Sequence, residues 1–250
     1  VKTPLGIAIF VFLLATACSE PRSGGSPQDE KLRRASAGQE AVSWDYVALG
    51  DSLAAGVGAE RGYVDRYAAH LRNDTGARVK VTNLGVSGQT SSELLDALRG
   101  DESMRRAIEG AEVVTFNIGL NDLGHAGAAY EEGTCGGEDG EDCLREAVEA
   151  VKDNRDAIAT ELWGIRSAGD TIIRTPGLGY TPRAEDDLQH YVSEVNRHIA
   201  STTRSRAVPY VEIPAGEIGM SPDGVHPNDA GYATIADRLR GLGFSPLHPR

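Results

Sequence analysis

A serine, a histidine and a carboxylate can together cleave an ester when the imidazole takes the serine's proton and the carboxylate holds the imidazole in register. Candidates for all three stand in short turn-forming stretches of this chain. Ser52 follows Gly50-Asp51 at the end of the apolar run Tyr46-Val-Ala-Leu49, where a glycine permits the sharp turn that exposes a side chain at a strand's carboxyl end. Far along the chain comes Asp223-Gly-Val-His226-Pro227. Pro227 disfavours helical geometry at His226 and Gly224 permits a tight turn, so Asp223 can accept from Nδ1 and leave Nε2 to face a serine hydroxyl. Two further stretches could supply donors to a developing oxyanion. Gly85-Val-Ser-Gly88-Gln-Thr90 leads into a helical run from Ser91, whose first backbone N–H groups have no intrahelical partner, and Gly119-Leu-Asn121-Asp122 offers the Asn121 amide. Each stretch alone reads equally well as an ordinary turn or cap. Their weight comes from appearing together, as nucleophile, base, orienter and oxyanion donors.

For these residues to meet, the elements between them must bring the stretches to one edge. The runs Trp44–Gly50, Val79–Leu84, Ala111–Gly119, Asp170–Thr175 and Ala207–Ile213 have strand composition and alternate with longer helical segments. Leu144, Val148, Val151, Ile158, Leu162 and Ile165 form one apolar stripe, and Leu188, Tyr191, Val192, Val195 and Ile199 form another. Asn228 can cap a last helix carrying Tyr232, Ile235, Ala236 and Leu239. Alternating strands and helices predict an α/β chain folded as a three-layer α/β/α sandwich around a parallel sheet. Ligands of such sheets bind beyond the carboxyl ends of the strands, and each candidate stretch follows a strand.

Gly50-Asp51-Ser52-Leu53, Gly88, Gly119-Leu-Asn121-Asp122 and Asp223-Gly-Val-His226-Pro227 are present in that order, and from about Trp44 to Leu239 the chain resembles the SGNH or GDSL hydrolases. The resemblance implies a flavodoxin-like sheet of five parallel strands in the order 2-1-3-4-5 and ester hydrolysis without a cofactor or metal. By position it implies Ser52 as nucleophile, His226 as general base and acid, and Asp223 as its orienter. The oxyanion hole it implies is made by the backbone N–H groups of Ser52 and Gly88 and the side chain of Asn121. Acyl transfer to an alcohol or sugar on the same site remains an alternative, as does a surface-tethered protein that holds a glycan or lipid without turnover. The second alternative predicts the loss of one of these positions.

Outside these stretches, 250 residues with 40% hydrophobic and 25% charged content suit one domain plus a tail, expected as a monomer. The net charge of -12, with no basic stripe, excludes nucleic acid as an expected partner. Residues 1–17 read as an export signal, with Lys2 ahead of the apolar Leu5–Leu14 and small residues at Ala15-Thr-Ala17. Leu14-Ala-Thr-Ala-Cys18 resembles a bacterial lipobox, which would acylate Cys18 and tether the protein to a membrane; simple cleavage there would leave Cys18 as a free thiol. Residues 18–40, rich in Ser, Gly, Pro and charge, read as a flexible tether, with the folded domain at 41–250. Cys135 and Cys143 are expected to pair in an exported chain, stabilising it by about 2.5 kcal/mol on chain-entropy grounds. They fall in Leu123–Asp142, read as a glycine-rich loop whose acidic run, Glu131–Asp142, marks either a solvated surface or a stapled flap over the acyl pocket that repels anionic substrates. His125 in that loop is read as a bystander, and Tyr180, after the fourth strand, as a pocket wall.

Overall fold

The computed structural model describes residues 42–166, 170–179, 186–213, 216 and 218–247. The expected leader, the tether, Cys18 and Tyr180 lie outside the described residues. Strands β1 (Ser43–Gly50), β2 (Arg78–Asn83), β3 (Val113–Asn117), β4 (Ile172–Pro176) and β5 (Tyr210–Val211) form one sheet in the order β2-β1-β3-β4-β5. Every pairing is parallel. β1 sits between β2 and β3, with Trp44 opposite Val79 on one side and Val47 opposite Val114 on the other.

Side-chain alternation along β1 builds both faces of the core. Tyr46 and Ala48 pack with Tyr63, Tyr67 and Leu71 of α2 (Tyr63–Thr75) and with Tyr232, Ile235 and Leu239 of α8 (Asp229–Gly241). Val47 and Leu49 face the other way, toward Leu94 and Leu98 of α3 (Ser91–Gly100), Ile108 of α4 (Glu102–Glu109) and Ile158 and Leu162 of α6 (Asp142–Ile165). Helices on both faces of a parallel sheet make the three-layer sandwich that the alternation of runs predicts. A third apolar cluster lies between α5 (Leu120–Glu131), α6 and α7 (Asp186–Arg206), including Leu123, Val148, Val151, Leu178 and Val195.

The stripes expected at α6, α7 and α8 are buried as helices, and Asn228 caps α8 by accepting from the Ala230 and Gly231 N–H groups. Three expectations need correction. The third strand is confined to Val113–Asn117 and the fifth to Tyr210–Val211, with Ala111, Ile118, Val208 and Ile213 buried outside the strands. The glycine-rich stretch read as a loop from Leu123 begins within a helix, α5, which carries Gly124 and Gly127. Leu123 and Ala126 are buried in the third cluster, and that tertiary burial overrides the low helix propensity of glycine. His125 is therefore an exposed helical residue, not a loop residue. Helices α2 and α4 fall outside the expected stripes, although Tyr63, Val64, Tyr67, Ala68 and Leu71 have clear helical spacing.

Candidate active site

Parallel pairing puts the carboxyl ends of all five strands on one edge, and the candidate residues are carried by the segments that follow them. At the end of β1, Gly50 has φ +126°, and a Cβ there would lie 2.0 Å from the Asn117 carbonyl oxygen. Only glycine lets β1 turn so close to β3. The turn delivers Asp51 as the N-cap of a single helical turn, α1 (Ser52–Ala55), and Ser52 as its first residue. The Asp51 carboxylate is buried, accepting from the Leu53 N–H at 2.9 Å and the Asn117 amide at 2.7 Å. Burial raises its pKa, and those two donors, with the positive charge of Arg155, oppose the rise.

Opposite Ser52, the segment Ser221–Pro227 folds on itself. A bridge between Met220 and Pro227 closes its base, and the Ser221 N–H donates to the His226 carbonyl at 2.8 Å. Inside this turn the Asp223 Oδ1 accepts from the Ser221 hydroxyl, the Val225 N–H and the His226 N–H at 2.7, 2.8 and 2.9 Å. Its Oδ2 meets His226 Nδ1 at 2.7 Å. The donors, led by the His226 N–H and imidazole, hold the Asp223 carboxyl well below the usual carboxylate range. His226 Nε2 lies 2.9 Å from Ser52 Oγ. Gly58, at φ +93°, backs the imidazole: a Cβ there would come within 2.7 Å of the His226 Cβ.

The third side of the site carries Gly88 and Asn121. Gly88 has φ +83°, and neither its N–H nor that of Ser52 has a hydrogen-bond partner among the described residues. The helix start after Gly88 differs from the expectation. Thr90 and Glu93 close a reciprocal capping box, and the Ser91 N–H is taken by Asp122, so these donors of α3 are committed. One Asn121 N–H donates to the Gln89 carbonyl at 2.9 Å; an amide has two such hydrogens, which leaves the other available. Asp122 anchors the arrangement, accepting from the Ser91 hydroxyl at 2.6 Å, while Asn154 of α6 donates to that same hydroxyl at 2.9 Å.

Several of these residues carry no signal in a short motif. Asn117 and Asn154 reach their partners across 66 and 63 residues. Arg155 is the exception. It occupies the gap between Val151 and Ile158 in the apolar stripe of α6 and is buried, donating to the Ile118 carbonyl and the Thr175 hydroxyl, both at 2.6 Å, with its guanidinium over the Phe116 ring. Burial pulls its pKa down to about 10, which leaves it charged at neutral pH. A charged residue at a core position of the stripe was the available signal.

The sequence profile of the GDSL-like lipase/acylhydrolase family matches residues 48–234, which takes in the Ser52, Gly88, Asn121 and His226 stretches. The chain belongs to that family. This GDSL hydrolase is 29% identical to the spore germination lipase LipC of Bacillus licheniformis over 82% of its own length and 99% of that protein. Among solved structures, the lipase Lip_vut3 from a goat rumen metagenome superposes with a TM-score of 0.73 at 26% identity, over 82% of this chain and 99% of that one. A point mutant of Axe2, an acetyl-xylooligosaccharide esterase from Geobacillus, shares the fold with a TM-score of 0.60 at 17% identity, over 84% and 99% of the two chains. Family and relatives together make the protein a carboxylic ester hydrolase.

Beside Ser52 the GDSL hydrolase has a cavity of about 460 Å³, within the usual range for small-molecule sites. Its rim includes Ser52, Gly88, Asn121 and His226, and its depth is apolar. Cys135 and Cys143 are joined by a disulfide, as expected, and Cys135 is buried in the cluster that forms the cavity's far wall. Of the two readings of the acidic run, the solvated surface fits better: of its six carboxylates only Glu131 lines the cavity, and Arg145 pairs with Asp139, Glu141 and Asp142. The described residues contain no group of three or more His, Cys, Asp or Glu side chains placed to hold a metal ion.

Proposed function

We propose that this hydrolase cleaves carboxylic esters with Ser52 as nucleophile, His226 as general base and acid, and Asp223 as the residue that fixes the imidazole. The observation that carries the proposal is the pair of contacts Ser52 Oγ to His226 Nε2 at 2.9 Å and His226 Nδ1 to Asp223 Oδ2 at 2.7 Å. Because Asp223 is ionised, it accepts from Nδ1–H, and Nε2 is left as the proton acceptor. Ser52 Oγ attacks the ester carbonyl carbon as its proton passes to Nε2. The carbonyl oxygen becomes an oxyanion that the Ser52 and Gly88 N–H groups and the free Asn121 N–H stabilise. Collapse breaks the bond to the alkoxy oxygen, which leaves as the alcohol with the proton from His226. Water then attacks the acyl-enzyme, giving its proton to Nε2, and the second collapse returns that proton to Ser52 and releases the carboxylic acid. The Cys135–Cys143 disulfide supports an exported site of action, since such bonds persist in oxidising compartments.

Ser52→Ala tests the assignment. It is expected to lower kcat on p-nitrophenyl acetate by on the order of 10⁶-fold while the protein melts at the wild-type temperature. Turnover by the variant within tenfold of wild type would remove Ser52 from the mechanism.

A further inference from the structure

The cavity beside Ser52 has a direction. It follows one face of α5, taking in Leu120, Leu123, Gly124, Gly127 and Glu131, residues three or four apart. From Leu120 to Glu131, at 1.5 Å per residue, that face is about 16 Å long. The proposed oxyanion donor Asn121 stands at one end, and the exposed Glu131 at the other. Across from α5 the wall is made by Leu178, Leu188, Tyr191 and Val192, and Leu144 of α6 closes the inner side. Tyr191, the only one of these with a polar group, has its hydroxyl engaged by Glu141 at 2.6 Å, so it offers the cavity its ring.

We infer that this cavity is an acyl-chain site, selecting esters of straight-chain acids of about ten to fourteen carbons. The inference rests on the reading of Ser52 and Asn121 given above. Between those walls a chain leaving the reacting carbonyl runs along apolar side chains until it reaches Glu131 at the far end. The length of the face sets the size. A zigzag of 1.52 Å carbon–carbon bonds advances about 1.3 Å per carbon, so 16 Å takes about twelve. Burying one methylene is worth about fourfold in affinity, so selectivity should climb steeply along the homologous series until the cavity is filled.

Gly124 lines the cavity at an exposed position of α5, and a Cβ there would meet nothing within 4 Å, so a larger side chain can be added at the cavity's mouth without entering the core. Gly127 is already close, since its Cβ would lie 3.2 Å from Leu188. Replacing Gly124 also improves helix propensity, so the variant is expected to fold.

The test is the profile of kcat/KM for p-nitrophenyl esters from acetate to palmitate, on wild type and Gly124→Leu. Wild type is expected to rise by at least 100-fold from acetate to a maximum between decanoate and tetradecanoate. Gly124→Leu is expected to move the maximum shorter by four or more carbons and to lower the laurate-to-acetate ratio at least tenfold. A second readout needs no turnover: laurate binding to Ser52→Ala protein by calorimetry should weaken at least tenfold when Gly124→Leu is added. A profile highest at acetate, or a maximum and a laurate affinity unmoved by Gly124→Leu, would overturn the acyl site. Full activity of Ser52→Ala with the expected profile would instead overturn the nucleophile and leave the cavity assignment standing.

Discussion

The turn that carries His226 is held by partners within six residues of one another, whereas the side that carries Asn121 is held by bonds between residues 31 to 63 apart. In the first, Asp223 gathers the Ser221 hydroxyl, two backbone N–H groups and the imidazole into a single local turn. In the second, Asp122 reaches Ser91, Asn154 of a distant helix joins them, and Asn121 reaches Gln89. The difference follows from what each side must do. Presenting one imidazole to one hydroxyl needs only a rigid turn of the right shape. Aiming the three proposed oxyanion donors, from separate segments, at one oxygen needs those segments fixed to each other, since a donor displaced by about 1 Å loses much of its effect.

Breaking the local side should cost most. Asp223→Asn keeps the size of the side chain but removes the charge and favours the wrong imidazole tautomer. It is expected to lower kcat about 10⁴-fold with little change in KM, measured on the preferred ester. A loss under tenfold would show that His226 is oriented without Asp223.

On the long-range side the expected losses are smaller and graded. Asn121→Ala removes one of the proposed oxyanion donors and should lower kcat about 10²- to 10³-fold, or about 2.7–4 kcal/mol of barrier. Asp122→Asn leaves Asn121 in the sequence but weakens the charged acceptor that holds Ser91. It should lower kcat about tenfold while KM stays within about twofold. A fall in melting temperature with kcat unchanged would make Asp122 an anchor of the fold alone.

The smallest expected effect is on the shape of the pH profile. Its donors hold Asp223 below the usual carboxylate range, so Asp223 stays ionised on mild acidification and a single group, the general base, controls the acid limb. Activity should therefore fall on the acid side with a slope of one proton in log kcat/KM, across the range where the enzyme remains folded. A slope of two would mean that a second group, with Asp223 as the first candidate, titrates in the same range.

The same contrast explains how much could be read before folding. Asp223 and His226 were legible because the glycine and proline that shape their turn lie between and beside them. Ser52 was legible because β1 ends where its apolar run meets Gly50. Asp122 was visible only as the neighbour of Asn121, and Ser91 only as the first residue of a helix, since nothing local says that they will meet. Arg155 left a trace, a charge within an apolar stripe, whose meaning depends on the Ile118 and Thr175 groups that receive it. Leu123–Asp142 misled for the converse reason. Its glycines argue locally for a loop, and only packing on α6 and α7 makes the first part of it a helix.

By itself the sequence determined the parallel sheet, the site edge, and the residue types available there, because strand composition, helical stripes and turn glycines act over a few residues; the order of the strands followed only from the resemblance to the SGNH hydrolases. The tertiary structure decided how the oxyanion side is braced and what the glycines of α5 are for. Those depend on contacts between segments that only the closed sheet brings together: a carboxylate across from a serine, and an open space beside Gly124 that no local pattern of residues encodes.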